Sequence, residues 1–171
     1  MKRLILPALL WALASPALAT PLELRSLVQA DRPAGCTDYS FLVWDLYRAE
    51  LWTDAESPPG TAYGLSLTYQ TDFSREKLVE SSISEMARMS GRAESAFGEA
   101  AAEMTRAFRA VDLGDRITAW FESSARVRIF HNGTETGAIT SEPGLFMDIW
   151  LGRKTRDEDG RSALLSGRCD G

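Results

Sequence analysis

Side chains that act as bases, nucleophiles or metal ligands near neutral pH are scarce in this 171-residue chain. There is one histidine, His131, and there are two cysteines, Cys36 and Cys169. His131 stands directly before Asn132-Gly133 in the stretch "RIFHNGTETGAIT". A catalytic histidine needs a carboxylate to orient it and a nucleophile to serve. Asn-Gly between two short strand-like runs is instead the signature of a type I′ hairpin turn, whose two central residues take positive φ. His131 is therefore expected to flank a solvated turn without chemical duty. The Asn132-Gly133-Thr134 letters of a glycosylation sequon have the same explanation. Two cysteines without a CxxC pair and one histidine cannot build a zinc site, so no metal or cofactor is expected. In an oxidising compartment the cysteines would bridge, tying the C-terminal tail to an early strand. The chain-entropy model allows such a bridge about 4–5 kcal/mol. Two buried thiols are the alternative.

The compartment is indicated by the first nineteen residues. "MKRLILPALLWALASPALA" opens on Lys2 and Arg3, runs apolar from Leu4 to Ala14 and ends in Ala17-Leu18-Ala19. A basic start, an apolar core too short to span a bilayer and a small-x-small end describe a cleaved secretory signal. The expectation is a signal peptide over 1–19, a single domain over 20–171 starting near Thr20, and a periplasmic location. Losing Lys2 and Arg3 takes the net charge from −5 to −7. An acidic chain with no basic stripe is a poor partner for nucleic acid or anionic lipid. No integral membrane span is expected after cleavage. The residues specify no oligomeric state.

The remaining pattern alternates between two periods. "LELRSLV" (22–28) reads as a short strand, and "YSFLVWDLYRAELW" (39–52) as one long strand with apolar residues on both faces. "SPPG" breaks it, and "AYGLSLTYQ" (62–70) returns as its partner. Ser74 then caps a helix, with Phe73 and Leu78 as a hydrophobic staple across the cap. A second helix carries Phe97, Ala101, Met104 and Phe108 at helical spacing. Three short strands follow, "ITAWFES", "RVRIFHN" and "TETGAIT". Ser141 is expected to cap a helix over "EPGLFMDIWL", with Pro143 in its first turn and Gly152 past its end. A charged loop and a small helix in "GRSALLSG" finish the chain. Strands and helices are segregated, which predicts an α+β domain with a mostly antiparallel sheet.

Four stretches, in order, resemble the chalcone isomerase-like superfamily: "FLVWDLYRAELW", "DFSREKLVES", "FRAVDLGDRITAWF" and "NGTETGAITSEPGLFMDIWLG". The exported bacterial branch is the most similar. The resemblance implies a large antiparallel sheet with helices layered on one face, an open-faced sandwich with a cleft between the layers. It also implies two functions. Some members close a chalcone to a flavanone, using an arginine, a water-ordering tyrosine, a threonine and an asparagine. Others bind fatty acids.

Carried over by position, the ring-closing set is missing. The helix positions of the tyrosine and asparagine correspond to Ser74 and Ser81, and the threonine falls near Leu42. The arginine corresponds to Arg25 or Arg32. No catalytic residue is assigned. The expected partner is a small apolar, fatty-acid-like molecule, its carboxylate met by Arg25 or Arg32, with Tyr47 as a further ligand-binding residue. Two alternatives stand beside this. One is an isomerase or lyase with a divergent set drawn from Tyr47, Tyr69 and Arg48. The other is a cell-envelope structural protein whose cleft is filled by Trp44, Trp120 and Phe108.

Overall fold

The computed structural model describes residues 19–41, 44–123 and 125–169. Residues 1–18 of the expected signal segment and Leu42 lie outside the described residues. Six strands form one sheet in simple chain order, every neighbour antiparallel. They are β1 (Gly35–Phe41), β2 (Trp44–Trp52), β3 (Tyr63–Tyr69), β4 (Arg116–Ser123), β5 (Arg126–His131) and β6 (Thr134–Ile139). Between β3 and β4 the chain builds α1 (Arg75–Ser90) and α2 (Gly98–Ala107). After β6 it builds α3 (Pro143–Leu151) and α4 (Glu158–Leu165). This is the expected α+β architecture, with a fully antiparallel sheet. No helix among the described residues is long and apolar enough to cross a membrane.

Alternation along the strands decides which face carries the helices. Ala49 and Leu51, Leu65 and Leu67, and Val127 and Ile129 all point to the side where Met86, Met104 and Phe146 pack. The opposite face carries a smaller cluster of Trp52, Trp120 and Phe130, covered by Leu24 and Val28. Its polar centre is buried too. Ser66 and Thr118 share a 3.1 Å hydrogen bond, and Thr118 donates to Glu23 at 2.6 Å. Arg116 donates to both oxygens of that carboxylate at 3.2 Å. The Glu23 side chain is 1% exposed.

The structure corrects four expectations about local elements. Residues 22–28 are not a strand. Pro21 starts a 3-10 turn over Leu22–Leu24, continued by bonds from Leu27 and Val28 back to the Leu24 carbonyl. Leu24 and Val28, four apart, therefore share one face, as helical spacing requires. The run 39–52 is two strands rather than one, pairing Tyr39 with Tyr47 and Phe41 with Trp44. Its two apolar faces came from reading through a hairpin. Ser141 does not cap α3. Glu142 takes that place in the left-handed region, because Glu103 of α2 already accepts from Thr140 and Ser141 amides at 2.8 and 2.9 Å. The Ser74 cap does form, accepting from the Lys77 amide at 3.1 Å.

The fourth correction concerns His131. Asn132 and Gly133 have φ of 49° and 85°, as a type I′ turn demands. The imidazole is 19% exposed, however, rather than solvated. Its Nε2 lies 3.8 Å from Asp115, and its Nδ1 is buried without a partner among the described residues. His131 pairs across the strands with Ile117 of the helix-side face, and its ring is held beside Asp115 and Asn132 instead of in solvent.

Candidate ligand-binding cavity

Strands β1–β3 reach past the helices that cover the centre of the sheet, and α1, α3 and α4 close over them at a distance. The space between is a cavity of about 420 Å³, within the range usual for small-molecule sites. Its floor is Tyr39, Tyr47, Leu67 and Tyr69. Its walls are Leu78 and Ser81 of α1, Ile149 and Trp150 of α3, and Arg161 and Leu164 of α4. The lining is mostly apolar.

The floor is a row of aromatic rings. Tyr39 stacks on Tyr47 with centroids 5.1 Å apart, and Tyr47 meets Tyr69 edge-on at 5.7 Å. Phe73 continues the row at 5.9 Å from Tyr69. Such pairs hold rings in fixed orientations. The Tyr47 hydroxyl accepts from Trp150 Nε1 at 3.1 Å, joining floor to wall. The Tyr69 hydroxyl has no hydrogen-bond partner among the described residues. Burial pushes the Tyr47 and Tyr69 hydroxyls far above the ordinary phenol range, and burial also raises Tyr39. All three stay protonated, as neutral donors and acceptors.

Charge gathers at one end, where α4 begins. Arg156 pairs with Glu85, which Arg88 also grips at 2.8 Å. Burial raises the Glu85 carboxyl, but hydrogen bonds from Arg88 and Arg156 outweigh it and hold the group below the usual range. Lys77 pairs with Glu80 at 3.1 Å. Asp157 caps α4, accepting from the Gly160 amide at 2.8 Å. Arg161 differs from these. Its Nε donates to the Leu151 carbonyl at 2.8 Å, and no carboxylate among the described residues lies within ion-pair distance. No cluster of acidic, cysteine or histidine side chains able to hold a metal occurs among the described residues.

Of the three expected ligand-binding residues, the structure brings only Tyr47 to the cavity; Tyr69, from the alternative set, lines it as well. Arg25 sits at the end of the N-terminal turn, on the opposite face of the sheet, with its Nε on the Thr20 carbonyl at 3.2 Å. Arg32 is exposed and also lies outside the lining. The physical reason for Arg25 is the Leu22–Val28 turn, which packs on the second face and takes that arginine with it. Arg48 pairs with Asp38 at 3.0 Å and, one residue from Tyr47, points away from it. The trio Tyr47, Tyr69 and Arg48 is therefore not assembled. Nor do the three suspected plugs fill the space. Trp44 is 67% exposed at a hairpin end, Trp120 lies on the far face, and Phe108 packs against Phe146.

The sequence places Arg156 and Asp157 in a charged loop and Arg161 in the small terminal helix, with no expectation that they reach the site. The signal available was an aspartate followed by Glu158 and Asp159, the acidic opening of a helix. Cys36 and Cys169 form a disulfide with Cα atoms 4.9 Å apart, inside the usual reach of such a bridge.

Comparison with known proteins bears on the family and the fold. The family described as chalcone isomerase-like matches residues 43–166. The crystal structure of a fatty-acid binding protein of Arabidopsis thaliana superposes with a TM-score of 0.57 at 14% identity. The match covers 78% of this chain and 86% of that one. No curated protein matches the sequence.

Proposed function

The chain belongs to the chalcone isomerase-like family, and from that premise we propose that it binds a small apolar, fatty-acid-like molecule without transforming it. The observation that carries this reading is the cavity itself, open and apolar, with the Arg161 guanidinium at one end, within electrostatic reach of Asp148 but beyond ion-pair distance of any carboxylate among the described residues. The Arabidopsis protein of the same fold is described as binding fatty acids, which supports the ligand class. Export through a signal over 1–19, into a periplasm, with one domain over 20–171, completes the proposal.

Magnitudes favour an amphiphile over a plain hydrocarbon. Burying about eight methylenes gains about 6 kcal/mol at about 0.8 kcal/mol each. Lost translational freedom costs at least about 4 kcal/mol. Charge-assisted hydrogen bonds from Arg161 to a carboxylate would add about 1.5–3 kcal/mol, enough to shift affinity by a factor of about 10–100. The anchor proposed from the sequence, Arg25 or Arg32, is thus replaced by Arg161. Ring closure is disfavoured because it needs an activated phenoxide and a stabilised enolate. Ser74 is engaged in capping α1, and the buried tyrosines remain neutral.

The test is a titration of oxidised protein with cis-parinaric acid, displaced by dodecanoic acid or by dodecanol. Saturable binding is expected. Arg161→Gln should weaken the acid at least tenfold and leave the alcohol unchanged. Ser81→Trp, at an exposed position on the α1 wall, should block both without loss of stability. Absence of saturable binding, or an Arg161→Gln effect equal for acid and alcohol, would overturn the reading.

A further inference from the structure

The cavity wall made by α4 is attached differently from the other two. Helices α1 and α3 drive Ile83, Met86, Phe146 and Met147 into the core, whereas the buried residues of α4 are Gly160 and Leu164. Its apolar hold is Leu164 with the half-buried Leu165, and Gly35 of β1 lets the Ala163 and Leu164 carbonyls lie close on that strand, so what fixes this short helix is concentrated in its C-terminal turn. Beyond α4, the Cys36 amide donates to the Arg168 carbonyl at 3.1 Å, and the next residue is bridged to Cys36. Both cysteines lie outside residues 43–166, the stretch that matches the family. So does β1, which is part of the sheet; the bridge joins that strand to the chain where the α4 wall ends.

The bridge can also be approached from solvent. Cys36 lines a second depression, of about 350 Å³, with Arg48, Ser166 and Arg168. Thr37 lines both this depression and the cavity, and α4 contributes to both, so the two adjoin at β1 and α4. Arg48 is paired there with Asp38 and Glu50, which leaves the Arg168 side of the depression as the one that favours an approaching thiolate.

We propose that α4 is the moving wall through which ligand enters and leaves, and that the Cys36–Cys169 bridge latches it. The ligand part of this proposal rests on the binding function above; the latch does not. Release is a thiol–disulfide exchange with a dithiol. Its thiolate attacks one sulfur, forming a mixed disulfide and expelling the other cysteine as a thiolate. The second thiol of the reductant then displaces the first cysteine. Two electrons and two protons pass to the protein pair, and the reductant leaves as a cyclic disulfide. The oxidised chain holds its ligand, and the reduced chain exchanges it.

Two measurements on the full-length exported chain test this. The first is hydrogen exchange of the amides of 161–165, before and after reduction with dithiothreitol. Protection in α4 should fall at least tenfold while β3 and β4 keep theirs. The second is the dissociation rate of cis-parinaric acid, which should rise at least tenfold on reduction. A Cys36→Ser/Cys169→Ser chain should match reduced protein in both without reductant. Unchanged α4 exchange would overturn the latch, as would equal loss of protection in the central strands, which would make the bridge a general staple. If α4 loosens on reduction but the probe never binds, the latch stands and the proposed ligand falls.

Discussion

Replacing Tyr47 by phenylalanine removes one oxygen from the cavity floor and leaves its ring between Tyr39 and Tyr69. That oxygen accepts the only hydrogen bond that Trp150 Nε1 makes among the described residues, at 3.1 Å. A neutral hydrogen bond contributes about 0.5–1.5 kcal/mol net, but a half-buried donor left without an acceptor costs about 1–3 kcal/mol. Stacking with Tyr39 and edge contact with Tyr69 depend on the ring and should persist. The expected loss is therefore about 1–3 kcal/mol, a fall in melting temperature of about 2–10 °C for a domain of this size. Denaturant unfolding of Tyr47→Phe, Trp150→Phe and the double variant isolates the pair. If the bond acts as described, the double variant should be less destabilised than the sum of the single ones by about 1 kcal/mol. Single losses that simply add would show that cavity water replaces the hydroxyl. The reasoning about a dry, apolar floor would then be wrong.

Acid should destabilise the protein in a defined window. Glu85 and Glu103 are raised by burial but held lower by their hydrogen bonds, Glu135 is lowered by Arg128, and Asp115 by the Asp112 amide and Asn132. Depressed folded values mean stability present above the unfolded value near 4.5 and lost as pH falls through the folded ones. Burial raises Glu50 and Asp148, which oppose the trend, so the net fall should be gradual. Urea midpoints should be flat from about pH 7 to 5 and decline below about 4.5; a decline already complete at pH 5 would contradict the assignment. Glu23→Gln should cost about 1–3 kcal/mol, because the amide cannot accept as fully from Arg116 and Thr118. Chemical denaturation measures it, and a change under 0.5 kcal/mol would refute a structural role for the N-terminal turn.

The sheet was legible in the sequence because its signals are local. Alternation, Asn132-Gly133 and the Ser74 cap each need only a few neighbouring residues. The turn at 22–28 was misread because Leu22, Leu24, Leu27 and Val28 satisfy both an alternating and a helical template over seven residues. Pro21 and the later packing on Trp52 and Trp120 decide between them. The site was legible only in its floor. Tyr47 lies on a recognisable strand, whereas Arg161 reaches the cavity because α4 folds back across β1. That placement depends on Gly35, where any side chain would overlap the Leu164 and Ala163 carbonyls. No local pattern marks such an approach between residues more than a hundred positions apart.

A meander that never closes has two outer strands, each with a row of backbone groups that a neighbouring molecule could pair with. Here both rows are obstructed. Along β6, Thr136 donates to the Ala107 carbonyl at 2.6 Å, and Glu103 takes the amides just beyond the strand. Along β1, the returning tail supplies the Arg168 carbonyl to the Cys36 amide. The first obstruction is a helix fixed in the core; the second is a few residues of tail, fastened covalently. Protection against strand-to-strand pairing therefore rests unevenly on the two ends of the sheet. Strand-to-strand polymerisation would begin at β1, on any chain whose tail has been clipped or cut loose.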